Sequence, residues 1–344
     1  MRLMVHRFLS ARLPDSPWRR LGHIVVVGWW LTGLSVAADG LPSTSSRAIY
    51  GDASSSKRLV IGSVTNAPKY NFGQMQGISR YMLERVRDLG VEAIMVVTID
   101  SHEQMTEMLR DGHVDWVSAT PYAAIKYERE AGAQFLLTKK NRGRGAYHSV
   151  FFARSDSNIQ GIGDLVGKTI AFEKPGSTSA YFLPAIELLG AGFRLVRLES
   201  HRHPPPPDAI GYLFSGDEVN SSTWVHKRIV DAAAFSNEDW GSEWRTPAAF
   251  RQDMSIFYRT TDVPRSLDIL RAGIDPLLRT RIQQSLLDLN NHPDAQDILH
   301  GYYGASEFAL ITEAQQQALD KIRGDMDAFE RTMAESTDNH GADK

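Results

Sequence analysis

The sequence predicts an α/β fold in two lobes, and three features predict it. Short apolar strands alternate with amphipathic helices along the chain; a strand, a sharp turn and a hydroxyl-rich helix start follow one another over 167–184; and a largely apolar strand over 147–154 is long enough to cross from one lobe to another. Alternation of this kind lays strands side by side in parallel sheets covered by the helices.

Residues 59–64 form a compact apolar strand, 74–89 carry helical spacing with Gly90 as the stop, and 91–98 form the next strand. Ser101 and Gln104 have the spacing of a capping box, which opens a helix ending at Gly112. Residues 114–119 give a third strand, and Thr120, Pro121 and Tyr122 supply the N-cap and first positions of a helix closed by Gly132. Past the crossing strand, 193–198 and 229–235 read as strands, 220–228 as a short helix and the prolines of 204–207 as a stiff loop. The chain returns through 254–258 and finishes in helices over 275–290, 293–299 and 312–331. Hinge strands are expected near 145–150 and 248–256, which makes lobe one 58–146 with 251–335 and lobe two 147–250.

The stretch 167–184 is the centre of the functional reading. Residues 168–173 form a strand, Lys174, Pro175 and Gly176 a turn, and 177–189 a helix whose first turn is Ser177, Thr178 and Ser179. A helix N-terminus has unpaired N–H groups and a partial positive charge, so it can hold an oxyanion without a lysine or arginine. Ser177 also fits a plain N-cap. Pro184 ends or kinks the helix.

A chain of 344 residues, 42% of them hydrophobic, has material for one or two sizeable cores. Five arginines precede an apolar run, His23 to Leu34, followed by small residues, so 1–38 reads as a secretory signal peptide, with an uncleaved anchor as the alternative. Residues 39–57 read as a flexible leader and 336–344 as a disordered polar tail. With no cysteine there is no disulfide, no thiolate and no site for a lipid anchor, so the expected location is the periplasm, free of the membrane. The formal charge of −3 becomes more negative once the arginine-rich lead is removed, which argues against nucleic acid as a partner.

The string K-T-I-A-F-x-x-P-G-S-T-S-A-Y-F-L-P over 168–184 resembles the signature of the periplasmic solute-binding proteins that serve phosphate, phosphite and phosphonate ABC importers. The resemblance runs from about Arg58 to about Phe329 and is most specific between Val114 and Glu187. It implies a type II periplasmic binding fold, the Venus flytrap: two mixed sheets flanked by helices and joined by two hinge strands. It further implies that Ser177, Thr178 and Ser179 grip phosphoryl oxygens, that Thr120 and Tyr122 contact the ligand from the other lobe, and that the partner is an ABC permease; without the resemblance, packing is the better reading of Tyr122. No cofactor, metal or catalytic residue is expected, and the chain is expected to be a monomer.

Asp239 and Glu218 complete the candidate set. A buried carboxylate beside an anion accepts the acidic O–H of a protonated phosphorus acid but faces sulfate with lone pairs against lone pairs, a repulsion worth several kcal/mol. In relatives such carboxylates also hold an aminoalkyl ammonium. Glu218 follows Asp217 where relatives often have a histidine, and a solvated loop carboxylate is its other reading. Asn237 reads as a contact or a turn residue, and Tyr147 and His148 as cleft-floor residues at the start of the crossing strand, with a structural role as the other reading of the histidine. Lys139, Lys140, Arg142 and Arg144 form a basic patch near the hinge that reads as a solvated turn rather than a polyanion site. A ligand sensor feeding a membrane signalling protein is the alternative function. A hydrolase is disfavoured, because the hydroxyl run has no His or Lys within it to act as a base.

Overall fold

The computed structural model describes residues 57–65 and 67–338; the expected signal peptide, the expected leader through residue 56 and the part of the expected tail beyond 338 lie outside the described residues. Lobe one opens with β1 (Lys57–Val64), α1 (Pro68–Val86), β2 (Val91–Ile99), α2 (His102–Arg110), β3 (Trp116–Ala119), α3 (Pro121–Ala131) and β4 (Gln134–Asn141). The chain then crosses through β5 (Ala146–Tyr147) into lobe two: β6 (Ser149–Arg154), β7 (Thr169–Phe172), α4 (Leu183–Gly190), β8 (Leu195–Arg197), β9 (Ile210–Phe214), α5 (Glu218–His226), β10 (Ala232–Ser236), α6 (Asn237–Gly241), α7 (Ala248–Arg251) and β11 (Met254–Arg259). It returns through β12 (Val263–Pro264) to β13 (Leu267–Leu270), α8 (Pro276–Leu289), α9 (Ala295–Gly301), β14 (Ala305–Ala309) and α10 (Glu313–Asp338).

Each lobe holds one mixed sheet, ordered β14-β4-β13-β3-β1-β2 in lobe one and β11-β6-β10-β7-β9-β8 in lobe two. β1 pairs in parallel with β2 and β3, whereas β13, β4 and β14 are antiparallel additions, which a parallel reading of the alternation does not contain. Central strands buried on both faces need continuous apolar runs, and Thr169–Phe172 and Ala232–Ser236 are buried at every position. Burying a Leu, Ile or Phe side chain fully stabilises by about 1.5–3 kcal/mol, and Phe151, Phe152, Phe172 and Phe235 each do so in lobe two.

The hinge differs from the expectation of a return over 248–256. Met254–Arg259 is the edge strand of the lobe-two sheet, antiparallel to β6, and the chain recrosses only where Val263 pairs with Tyr147 and Pro264 with Ala146. An alternating strand fits the edge of either sheet, and only pairing with β6 assigns it. Lobe two therefore extends past residue 250 to Arg259. Lys57, expected in the leader, pairs with Val91 in β1, and 336–338 of the expected tail continue the final helix.

The final helix also departs from its expected place on lobe one alone. Arg323 pairs with Glu128 at 2.6 Å, and Arg129 pairs with Asp327 at 3.1 Å and with Glu330 at 3.2 Å, tying α10 to α3. Its apolar face serves both lobes: Phe329 packs on Tyr122 of lobe one and on Tyr181 and Phe182 of lobe two. Among the described residues no helix is long and apolar enough to cross a membrane.

Candidate functional site

Between the lobes lies a cavity of about 430 Å³. Its walls come from the carboxyl ends of β3, β7 and β10 and from the helix starts that follow them: Ser118 and Thr120 in lobe one, Glu173, Ser177 to Ser179, Ser236, Glu218 and Asp239 in lobe two. In open α/β sheets this is where ligands bind, because helix N–H groups and their dipoles point there.

Local chemistry builds the hydroxyl run. Gly176 takes a φ of +86°, the left-handed conformation that lets the turn reverse sharply. Ser177 Oγ then accepts the Ala180 N–H at 3.2 Å as an N-cap. The first turn is wide, with Phe182 N–H donating to the Ser177 carbonyl at 2.9 Å, a five-residue step. Pro184, which has no N–H, follows inside α4, so the ladder must be re-registered here. Thr178 reaches across to the other lobe: its Oγ1 donates to Thr120 Oγ1 at 2.9 Å and accepts the Tyr122 N–H at 3.0 Å. Ser149 Oγ fixes the run from below by donating to the Ser179 carbonyl at 2.7 Å.

The lobe-two wall is acidic. Burial, with the neighbouring charges of Glu173 and Asp239, pushes Glu218 up to about 8, against the pull of Arg245 3.1 Å away. Burial also raises Asp239, opposed by the hydrogen bond it accepts from Ser236 Oγ. Asp217 caps α5 through the Val219 N–H at 3.1 Å and pairs with Arg245. Lys174 pairs with Glu173 at 3.0 Å, and Arg265 pairs with Glu238 at 2.6 Å while covering the Tyr147 ring. Three buried polar atoms on the walls, Tyr147 OH, Ser266 Oγ and Asn141 Oδ1, have no protein partner. Buried polar atoms are nearly always satisfied, so these three suit a polar guest.

Of the expected site residues, Ser177, Thr178, Ser179, Thr120, Tyr147, Glu218 and Asp239 line the cavity. Tyr122 corrects an expectation. Its ring stacks on Phe182 with centroids 4.5 Å apart and is buried between the lobes, where burial raises its hydroxyl to about 12; only its backbone N–H serves the site, through Thr178. The reason is steric: in the second position of α3 the ring folds back onto the apolar joint that Phe182 and Phe329 share. Asn237 and His148 take the structural of their two readings. They satisfy one another beside the hinge: Asn237 Oδ1 accepts the His148 N–H at 3.2 Å and Asn237 N–H donates to the His148 carbonyl at 2.9 Å. The His148 ring turns to Asp262 at 2.8 Å, and neither residue is part of the cavity wall.

Sequence reasoning missed Glu173, Arg245, Arg265, Ser266, Asn141 and Lys139. Lys139 belongs to the stretch that reads as a solvated turn, yet it is 1% exposed and is one of the residues that line the cavity. Its alternation with Lys140, which faces out to Glu307 at 2.9 Å, is the signal that marks a strand.

The sequence matches the family described as ABC transporter, phosphonate, periplasmic substrate-binding protein, over residues 68–316. A structure of XAC2383 from Xanthomonas citri, bound to chloride, superposes with a TM-score of 0.77 and 32% identity, covering 81% of this chain and 99% of that one. The same protein bound to ATP gives 0.76 and 31%, over 80% and 98% of the two chains. PhnD1 from Prochlorococcus marinus in complex with methylphosphonate shares the fold at a TM-score of 0.60 and 13% identity, over 79% of this chain and 98% of that one. The phosphate-import protein PhnD of Mycolicibacterium smegmatis is 27% identical over 156 residues, 44% of this chain, and the match spans only 46% of that protein. With a type II periplasmic binding fold and a family match across most of its length, the chain belongs to the phosphonate family of periplasmic substrate-binding proteins of ABC transporters.

Proposed function

We propose that this chain, exported through its N-terminal segment, captures a small phosphorus oxyanion in the phosphonate, phosphite and phosphate class and delivers it unchanged to an ABC importer. One observation carries the reading: Ser177 to Ser179 and Thr120 present hydroxyls and helix N-termini from opposite lobes beside Glu218 and Asp239, two carboxylates whose acidity burial weakens. The Ser177, Ser179 and Thr120 hydroxyls and the N–H groups donate to the unprotonated phosphoryl oxygens. Asp239 and Glu218 handle the remaining polar group of the guest. An ionised carboxylate accepts the acidic P–O–H or an aminoalkyl ammonium, and a protonated one donates. Sulfate, which has no proton to give, is repelled by the ionised form. Contacts from both lobes favour the shut state by their differential affinity.

XAC2383 has been solved with ATP, which raises a nucleotide as a second guest. Glu173, Glu218 and Asp239 on one wall oppose a polyphosphate, so ATP is expected to bind less tightly than a monophosphonate.

The test is isothermal titration of ligand-stripped protein with methylphosphonate, 2-aminoethylphosphonate, phosphite, phosphate, sulfate and ATP. Binding of at least one phosphorus monoacid with sulfate at least about 100-fold weaker is expected, since a facing pair of acceptors costs several kcal/mol. Absence of heat with all the phosphorus acids removes the reading.

A further inference from the structure

Four cationic side chains line the cavity: Lys139, Lys174, Arg245 and Arg265. Three of them are neutralised within the protein. Lys174 pairs with Glu173 at 3.0 Å, Arg265 with Glu238 at 2.6 Å, and Arg245 with Asp217 and Glu218. Among the described residues, no carboxylate oxygen lies within 4.0 Å of the Lys139 ammonium. It donates to Ser118 Oγ at 2.5 Å and lies over the Tyr302 and Tyr303 rings, 4.4 and 4.5 Å from their centroids. Behind those rings sits Asp268, fully buried, whose Oδ1 accepts from Trp116 Nε1 at 2.8 Å and from Tyr302 OH at 2.5 Å, while its Oδ2 has no hydrogen-bond partner.

A buried ammonium with one hydrogen bond and no contacting anion is costly in a folded protein. Such a cost is tolerated where the charge is used, and Lys139 lines the ligand cavity together with Ser118, to which its ammonium donates. We propose that Lys139 is the charge-bearing ligand contact of lobe one, giving its remaining N–H bonds to an ionised phosphoryl oxygen, and that Asp268 is a positioning residue that holds the ammonium through the Tyr302 platform. This rests on the oxyanion reading above and deepens it: the ligand is recognised by one full charge as well as by hydroxyl dipoles.

The groups facing Lys139 are Asp268 and Arg265 from the return segment, Tyr302 and Tyr303 from the α9–β14 link, and Ser118 from β3; Glu173, Glu218 and Asp239 line the same cavity. Burial lowers Lys139 to about 8. Anion binding favours the charged form, so binding above that pH takes up a proton at Lys139 and weakens as pH rises further.

The experiment titrates methylphosphonate into ligand-stripped wild type and Lys139→Met at pH 7, then at pH 9 in two buffers of different ionisation enthalpy. At pH 7 the variant is expected to bind at least about 30-fold more weakly, the effect of truncating one member of a buried charge pair. At pH 9 wild type takes up a larger fraction of a proton per ligand than Lys139→Met, and this measurement decides the matter with folded wild type as its reference. Asp268→Asn is expected to move the alkaline fall in affinity to lower pH, which a purely structural role does not do. Equal affinity of wild type and Lys139→Met within about threefold, or equal proton uptake, overturns the role of Lys139 while leaving the functional reading intact. An unshifted profile in Asp268→Asn overturns the role of Asp268. Failure of wild type to bind any phosphorus acid instead overturns the functional reading and this inference together.

Discussion

Thr120 Oγ1 and Thr178 Oγ1 meet at 2.9 Å across the gap between the lobes, and the Thr178 oxygen also accepts the Tyr122 N–H at 3.0 Å. One hydroxyl thus latches the lobe that carries the hydroxyl run to the helix start that faces it. A latch of this kind contributes only to the shut state, and opening the lobes breaks both bonds at once.

Thr178→Val tests the latch. The substitution keeps the shape and leaves the buried Tyr122 N–H without an acceptor, a cost of about 1–3 kcal/mol. Because the loss falls on the shut state, ligand affinity is expected to drop about 5- to 150-fold, with the solution scattering of the ligand-free protein shifting toward a larger radius. Unchanged affinity and radius count against a latch.

Glu218 makes stability depend on pH. Its carboxyl rises from the ordinary 4.5 to about 8, first because it is buried and then because Glu173 and Asp239 lie near. Between those values the folded ligand-free protein holds a proton that the unfolded chain has released, so stability falls as pH climbs from about 4.5 to about 8 and this contribution is flat above. Glu218→Gln cannot ionise. It is expected to gain stability relative to wild type as pH rises across that window, measured by urea midpoints at pH 5 and pH 9. A constant difference between the two proteins rules the ionisation out as the cause.

How much of this was visible in the sequence follows the range of the interactions. The Ser177 cap, the Gly176 turn and the Thr120–Pro121 helix start depend on residues a few positions apart, and they were legible. Lys139 was not, because a lysine next to Lys140, Asn141 and Arg142 looks like a turn until β13 and β14 pair on either side of β4. Arg245 and Arg265 reach the cavity from loops distant in sequence, and no local pattern marks them. The resemblance implies a ligand contact for the Tyr122 ring, and the packing partner that claims it, Phe329, lies more than two hundred positions away in a helix expected to serve one lobe only. The hinge was displaced for a similar reason: Met254–Arg259 carries strand character, and the choice of sheet is made by β6.

Gly176 and His102 face one another across the cavity mouth. A Cβ at Gly176 would stand 3.0 Å from His102 Cδ2, and the φ of +86° disfavours any side chain there. Gly176→Ala therefore carries two separable penalties. The backbone part, about 1–2 kcal/mol, lowers stability whether the lobes are open or shut. The contact part arises only on closure and lowers affinity. Adding His102→Ala is expected to recover affinity without recovering the urea midpoint, and recovery of both, or of neither, contradicts the division.

Phe329 is the point where α10 touches both lobes at once. Its ring lies 5.0 Å from Phe182, 5.4 Å from Tyr181 and 6.1 Å from Tyr122, each edge-on, and it is 4% exposed. Phe329→Ala empties that joint while sparing the ion pairs of Arg323 and Arg129 that anchor the helix to lobe one. The expected loss is about 3–5 kcal/mol of unfolding free energy. Because the ion pairs still hold α10 to lobe one while its packing on lobe two is thinned, the lobes are expected to unfold in two resolved steps where wild type unfolds in one. Phe329→Leu, which refills most of the volume, should restore the single step. A loss below about 1 kcal/mol, the range of an ordinary surface change, would mean that the hinge strands, the Thr178 latch and the Tyr122–Phe182 stack hold the lobes together without this joint.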